Sequence, residues 1–371
     1  MLFLDKHTSL RTGSISRLDL KVGIVTDVYP SERSPELGTF IKDLVEHLRS
    51  GGVSVRVIKH ERNFAAMSLE CLMNSARVDV LDAQFVAPAG VVTGLTPRFC
   101  PYVVTVHRWD IFEFPYRSPL ARIATLTTLR QARGIIAVGS AVRSEVLKFV
   151  SSNSVLATIP NAVDNRRFRP DIEFGFLKRQ LGIPDSHRVI LAVGHLIPRK
   201  GFVYLLQAMA DVMKQYEQCS LVIVGGISSL SGSQRQELVT LGHRLGLTDR
   251  LRLPGIVEES VLPLFYAMAD IFVMPSLSEG HCVAILEAMS AGKPIVASAV
   301  PGNAASVVEG ENGLLVPPAD PKSMASAIIH LLRDDSLREN YGRRSREKAV
   351  TEFGWQLRIR RLKEFYLRVL A

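Results

Sequence analysis

Cysteine is scarce in this chain and scattered. Cys71, Cys100, Cys219 and Cys282 are the only four, and no two form a C-x-x-C pair. That pattern excludes a zinc ribbon and a disulfide framework, and it fits a reducing compartment such as the cytoplasm. Long apolar runs are missing as well. The nearest candidate, Val261 to Leu277, is cut by Asp270 and holds two prolines, so no transmembrane helix is expected. The first nineteen residues lack an apolar segment of signal-peptide length and read as a polar leader. Three nucleotide and metal signatures are also absent. There is no G-x-x-x-x-G-K-[ST] loop and no G-x-G-x-x-G after the first apolar run. A P-loop enzyme is therefore excluded and a nicotinamide dehydrogenase disfavoured. No D-x-D triplet occurs, so no acidic clamp for a metal–diphosphate is expected and no metal ligand is assigned.

What is present describes a soluble, two-domain α/β chain. The 371 residues exceed one ordinary core, 47% of them are hydrophobic, and the formal net charge is +9. Lys and Arg outnumber Asp and Glu between Arg98 and Lys148. Few aromatics are interleaved there, which disfavours nucleic acid and leaves an anionic membrane surface, phosphorylated small molecules or simply a basic soluble enzyme as open readings. Near-continuous apolar runs alternate with helical periodicity. "LKVGIVT", "VSVRVI", "VDVLDAQF", "YVVTVH" and "GIIAVGS" come first; "RVILAVGH", "CSLVIVGG", "RLRLPG", "ADIFVMPS", "KPIVAS" and "NGLLVPP" follow. Between the two series, Ser154 to Asp171 shows no periodicity and reads as the boundary. The expectation is two Rossmann-like, doubly wound domains facing across a cleft. Their expected spans are a leader 1–19, a first domain 20–165, a second 166–350 and a terminal helix 351–371.

In such sheets ligands bind beyond the carboxyl ends of the strands. After "RVILAVG" stand Arg199 and Lys200, two cations just before a helix start, a plausible phosphate site or else a solvated basic turn. After "ADIFVMP" comes "SLSEGHCVAILEAMSAGKP". Glu279 precedes its helix and Glu287 lies about one turn inside, where side chains lean back toward the N-terminus. The backbone N–H groups of Gly280, His281, Cys282 and Val283 are expected to be unpaired at that end. Glu287 sits in a helix that is apolar nearly all round, where an unpaired carboxylate is costly. His107 ends the "YVVTV" strand as a candidate site residue. Gly38, in the loop after the first strand, permits close backbone approach to a ligand and is read as a donor-binding residue.

Several of these stretches together resemble one family. "SEGHCVAILEAMSAGKPIVAS" is similar to the E-x7-E signature of family 4 glycosyltransferases, which are retaining enzymes of the GT-B fold. "IPNAVDNRRFRP", "VGHLIPRKG", "LRLPGIV" and "ENGLLVPPADP" resemble the family's other motifs, in order, and "VDVLDAQF" with "PYVVTVHRWD" looks like the exopolysaccharide-type members. The resemblance implies roles. Lys200 with a second cation would hold a donor diphosphate, that cation being Arg199 or His195, which stands at the family's usual Arg. Glu287 would bind the ribose hydroxyls and Glu279 the transferred sugar. The backbone from Gly280 to Val283 would meet sugar and phosphate, and His107 the donor sugar near the reacting carbon. The final helix would cross back onto the first domain. The implied co-substrate is a nucleoside diphosphate sugar, in UDP or GDP form, with no cofactor. The implied acceptor is a glycan or a polyprenyl-linked sugar, used at the inner face of the membrane. The alternative is a sugar-nucleotide-binding protein without catalysis.

Overall fold

The computed structural model describes residues 19–31, 37–60, 63–151, 155–226 and 234–371. The leader reading lies outside these, apart from Asp19. Two parallel six-stranded sheets organise the described residues. The first contains β1 (Lys21–Thr26), β2 (Ser54–Lys59), β3 (Val80–Gln84), β4 (Tyr102–Val106), β5 (Gly134–Ala137) and β6 (Leu156–Thr158), in the order β2-β1-β3-β4-β5-β6. The second contains β7 (Arg188–Val193), β8 (Cys219–Val224), β9 (Leu251–Gly255), β10 (Ile271–Met274), β11 (Ile295–Ser298) and β12 (Gly313–Val316), in the order β12-β11-β10-β7-β8-β9.

Each apolar run became a strand because both of its faces are covered by helices. β7 shows this residue by residue. Val189, Leu191 and Val193 enter one core, while Ile190 and Ala192 enter the core on the opposite face, as the two-residue period of a strand requires. One expectation needs correction. The stretch from Ser154 to Asp171 is not wholly a boundary, because Leu156–Thr158 pairs with β5 in the register Ile135↔Leu156 and closes the first sheet. Three residues at a sheet edge are too few to show a period.

The C-terminal helix, Trp355–Leu370, packs on the first sheet rather than the second. Trp355, Ile359, Leu362, Tyr366 and Val369 recur at helical spacing and share one core with Val22, Ile24, Val103 and Ile136. A buried polar contact fixes its rotation. The Tyr366 hydroxyl donates to Asp82 Oδ2 at 2.6 Å, and the Thr105 hydroxyl donates to Oδ1 at 2.8 Å. Burial raises the Asp82 carboxyl to about 6, against the pull of these two donors. The Tyr366→Phe variant is expected to lose about 1–3 kcal/mol of stability, because a buried acceptor loses a donor. Denaturant unfolding measures it, and an unchanged midpoint would show that the contact does not secure the helix.

Candidate active site

The carboxyl ends of the two sheets face each other across a cleft of about 1240 Å³. Its lining includes His107, Arg199, Lys200, Gly280, His281, Cys282 and Val283, with both Glu279 and Glu287. Gly38 does not line it. Gly38 is buried at φ +76°, and a Cβ there would lie 2.5 Å from the Val28 carbonyl oxygen. The close approach this glycine permits is to its own chain. Its neighbours Thr39 and Phe40 are the ones that reach the cleft.

The centre of the site is one carboxylate oxygen with three donors. Glu279 Oε1 lies 2.8 Å from Lys200 Nζ and 3.1 Å from the Arg199 guanidinium, and it accepts from the Ser276 hydroxyl at 2.8 Å. All three converge on Oε1, which leaves Oε2 with accepting capacity toward the cleft. Burial would raise this carboxyl, but Lys200 and Arg199 hold it down to about 2. Burial would likewise lower the Lys200 ammonium, yet Glu279 raises it. Both groups are thus charged near neutrality, as a buried pair must be to offset its desolvation. Arg199 also donates to the Ser278 carbonyl at 2.9 Å, which fixes its guanidinium against the loop.

The helix Val283–Ser290 starts beside this cluster. Its N-cap, Cys282, makes no side-chain capping bond, so the first N–H groups have no intrahelical partner and no capping oxygen. The Cys282 side chain itself belongs to the core, and burial pushes its thiol up to about 11. Its contribution to the site is therefore backbone. One turn in, Glu287 accepts from the Tyr266 hydroxyl at 2.6 Å. That bond resolves the cost noted for a carboxylate in an apolar helix. Burial raises Glu287 to about 7 even so, with Tyr266 acting in the opposite direction.

The first domain contributes a buried histidine. His107 packs 5.2 Å from the ring of Phe40 and 4.5 Å from that of Phe85, and its Nε2 lies 3.1 Å from Gln84 Oε1. Burial, with Arg358 nearby, lowers it to about 3, so the ring is neutral. Asp110 shapes its loop by accepting from the backbone N–H groups of Val86, His107 and Arg108. The two domains touch here. A Cβ on Gly280 would lie 2.3 Å from the His107 carbonyl oxygen, and Arg108 Nε donates to Ser278 Oγ at 3.0 Å. The His281 ring packs within its own domain, with Nε2 3.2 Å from Ser306 Oγ and the Phe353 ring 5.5 Å away.

The sequence reading missed Ser276, Tyr266 and the contacts of Asn161 and Arg358. Asn161 lies in the quoted "IPNAVD", but nothing in its local pattern shows which residues it meets. Among the described residues no group of three or more His, Cys, Asp or Glu is arranged to hold a metal, and no helix is long and apolar enough to cross a membrane.

The family models agree with this geometry. Residues 173–348 match the model for glycosyl transferases group 1, and residues 62–167 match that for glycosyltransferase family 4. The chain belongs to the family 4 glycosyltransferases. It is 33% identical over 204 residues to D-inositol 3-phosphate glycosyltransferase 2 of Catenulispora acidiphila, covering 54% of this chain and 47% of that one. It is 29% identical over 256 residues to the GDP-mannose-dependent alpha-(1-6)-phosphatidylinositol monomannoside mannosyltransferase of Mycobacterium tuberculosis, covering 67% and 64%. The chain thus spans from about half to just under two thirds of these curated relatives. Its fold matches that of Anabaena HepE, solved in complex with UDP and glucose, at a TM-score of 0.79 and 21% identity over 93% of this chain and 98% of that one. The architecture is GT-B.

The two carboxylates titrate with opposite sign. Glu287, raised to about 7, gives stability that is present below the unfolded value and lost as pH rises through about 7. Glu279, lowered to about 2, gives stability that is present above the unfolded value and lost only as pH falls toward 2. The ligand-free protein should therefore lose up to about 3 kcal/mol between pH 4.5 and 7 from Glu287 alone. Glu287→Gln should flatten that part of the profile. Thermal melts of both proteins across the window check this, and parallel profiles would contradict it.

Proposed function

We propose that this chain transfers a hexosyl unit from a nucleoside diphosphate sugar, with retention at the anomeric carbon, to a glycan or polyprenyl-linked acceptor. The observation that carries the reading is the Lys200–Glu279–Arg199 cluster beside the uncapped start of the Val283–Ser290 helix, inside the cleft. Two cations and a helix N-terminus form a site for the charge that develops on a departing diphosphate. The nucleotide lies on the second domain, with Glu287 toward the ribose hydroxyls. UDP and GDP are the expected nucleotides. HepE, solved with UDP and glucose, and the GDP-mannose-dependent relative support one each.

The transfer breaks the bond between the anomeric carbon and the β-phosphate oxygen, and it forms a bond from the acceptor hydroxyl oxygen on the same face. The acceptor proton passes to the departing phosphate oxygen. Glu279 is poorly suited to attack carbon, because two cations already hold its charge. Its Oε2 is suited to accept from a sugar hydroxyl and position the ring. Neutral His107, at the domain contact, packs near the reacting carbon. Cations and the helix end supply the charge, so this route calls for no metal. Lys200→Ala and Glu279→Ala are each expected to slow donor consumption by roughly two to three decades, at about 2–4 kcal/mol of barrier. Near-normal turnover in both would remove the cluster from the mechanism.

The acceptor side carries a surface suited to an anionic bilayer at the inner face of the membrane. Leu120 and Ile123 are exposed on the first turns of the helix Pro119–Gln131, with Leu95 and Phe99 exposed nearby in the same domain. Arg117, Arg122, Arg130 and Lys148 are exposed among them. Apolar side chains that enter the interface and cations that meet anionic headgroups are the two signals peripheral binding needs. Flotation should show binding to vesicles containing anionic lipid at low salt, and less at high salt. No binding at low salt would reject this part of the reading.

A further inference from the structure

A buried polar chain enters the donor loop from the far side of the molecule, and the reaction described above leaves it without a role. It joins three segments distant in sequence. Arg358, on the C-terminal helix, donates from Nη1 to Asn161 Oδ1 at 2.7 Å. Asn161, after β6, donates from Nδ2 to the His281 carbonyl at 3.1 Å. The amide has only one workable orientation, since a guanidinium can only donate and a carbonyl can only accept. Arg358, Asn161 and His281 are exposed by 6%, 7% and 6%.

Arg358 is an expensive residue to bury. Among the described residues it has no carboxylate at ion-pair distance, and its Nε has no hydrogen-bond partner. The nearby acid, Asp82, has its oxygens taken by Thr105 and Tyr366. The Trp355 ring, 5.4 Å from the guanidinium, offsets part of the cost. A cation kept there at such cost is best understood through what it orients, which is the Asn161 amide.

The contact with His281 has a geometric consequence. A trans peptide holds its carbonyl and the following N–H in one plane, pointing in opposite directions. Fixing the His281 carbonyl therefore fixes the N–H of Cys282, the N-cap of the Val283–Ser290 helix. We propose that Asn161, held by Arg358, is a positioning residue that sets the His281–Cys282 peptide so that the N–H groups at this helix start meet the β-phosphate of the donor. The inference rests on the nucleotide-sugar reading above. It also ties phosphate binding to domain contact, because Arg358 belongs to a helix packed on the first domain while His281 belongs to the second.

The test compares UDP with UMP, which lacks the β-phosphate, by calorimetry on the full chain; GDP and GMP serve if the wild type prefers guanine. Asn161→Asp keeps the contact with Arg358 as an ion pair but removes the donor to the His281 carbonyl. Its melting temperature should change little, the new ion pair offsetting the unpaired His281 carbonyl, while UDP binds about tenfold more weakly and UMP stays within about twofold. Arg358→Met leaves the amide in place without its anchor, and it should show the same discrimination at about threefold. Asn161→Leu, which changes no charge, should also weaken UDP more than UMP. Equal weakening of both nucleotides would mean a folding effect, UDP weakening confined to the two charge-changing variants would mean a field effect, and unchanged UDP affinity would mean no positioning; each of these overturns the proposal. If the wild type binds neither UDP nor GDP, the donor reading falls and takes this inference with it, an outcome distinct from a wild type that binds beside variants that do not differ.

Discussion

The arrangement depends on one buried ion pair, Lys200 with Glu279. Each partner alone would be a desolvated charge in a half-apolar cleft. Together with Arg199 and Ser276 they form a compact cluster in which one carboxylate oxygen takes every protein donor. Lys200 is thereby kept charged, and both cations are held in place beside the helix start. For the proposed transfer this amounts to electrostatic preorganisation, with the reorganisation cost met in folding rather than during the reaction. The same pair ties the loop after β7 to the loop after β10, neighbouring strands at the middle of the second sheet.

The rest of the molecule brings the first domain to that cluster. Parallel order directs the carboxyl ends of each sheet to one edge, and across the cleft between those edges the loop after β4 meets the loops after β7 and β10. Gly280 then allows backbone contact with His107, and Arg108 reaches Ser278 across the same gap. A side chain at Gly280 would hold the domains apart at the point where His107 and Glu279 both line the cleft. The C-terminal helix acts from behind, through Tyr366 on Asp82 and Arg358 on Asn161. It follows the second domain in sequence, packs on the first, and reaches the His281 carbonyl only through Asn161.

Much of this was legible in the sequence, for stated reasons. Buried parallel strands are nearly all apolar, so eleven of the twelve stood out as runs; β6, three residues at an edge, did not. The cluster residues were found because a doubly wound sheet puts ligands after its strands, and Glu279, Lys200 and Arg199 follow β10 and β7. Glu287 was conspicuous as a carboxylate in an apolar helix, but its partner was not. Tyr266 lies in another helix, and its hydroxyl gives no periodic signal. Gly38 shows a related limit. A glycine shows that something comes close, and only the fold shows that it is Val28. Asn161 and Arg358 are 197 residues apart, and no local pattern encodes a contact at that range.

The central claim is that the preformed cation cluster is the diphosphate site. A crystal structure of the chain soaked with UDP at a saturating concentration tests it most directly. The account predicts a diphosphate between Lys200, Arg199 and the first N–H groups of the Val283–Ser290 helix, with the ribose within hydrogen-bond distance of Glu287. A diphosphate bound elsewhere in the cleft, with the Lys200–Glu279 pair untouched, would contradict it.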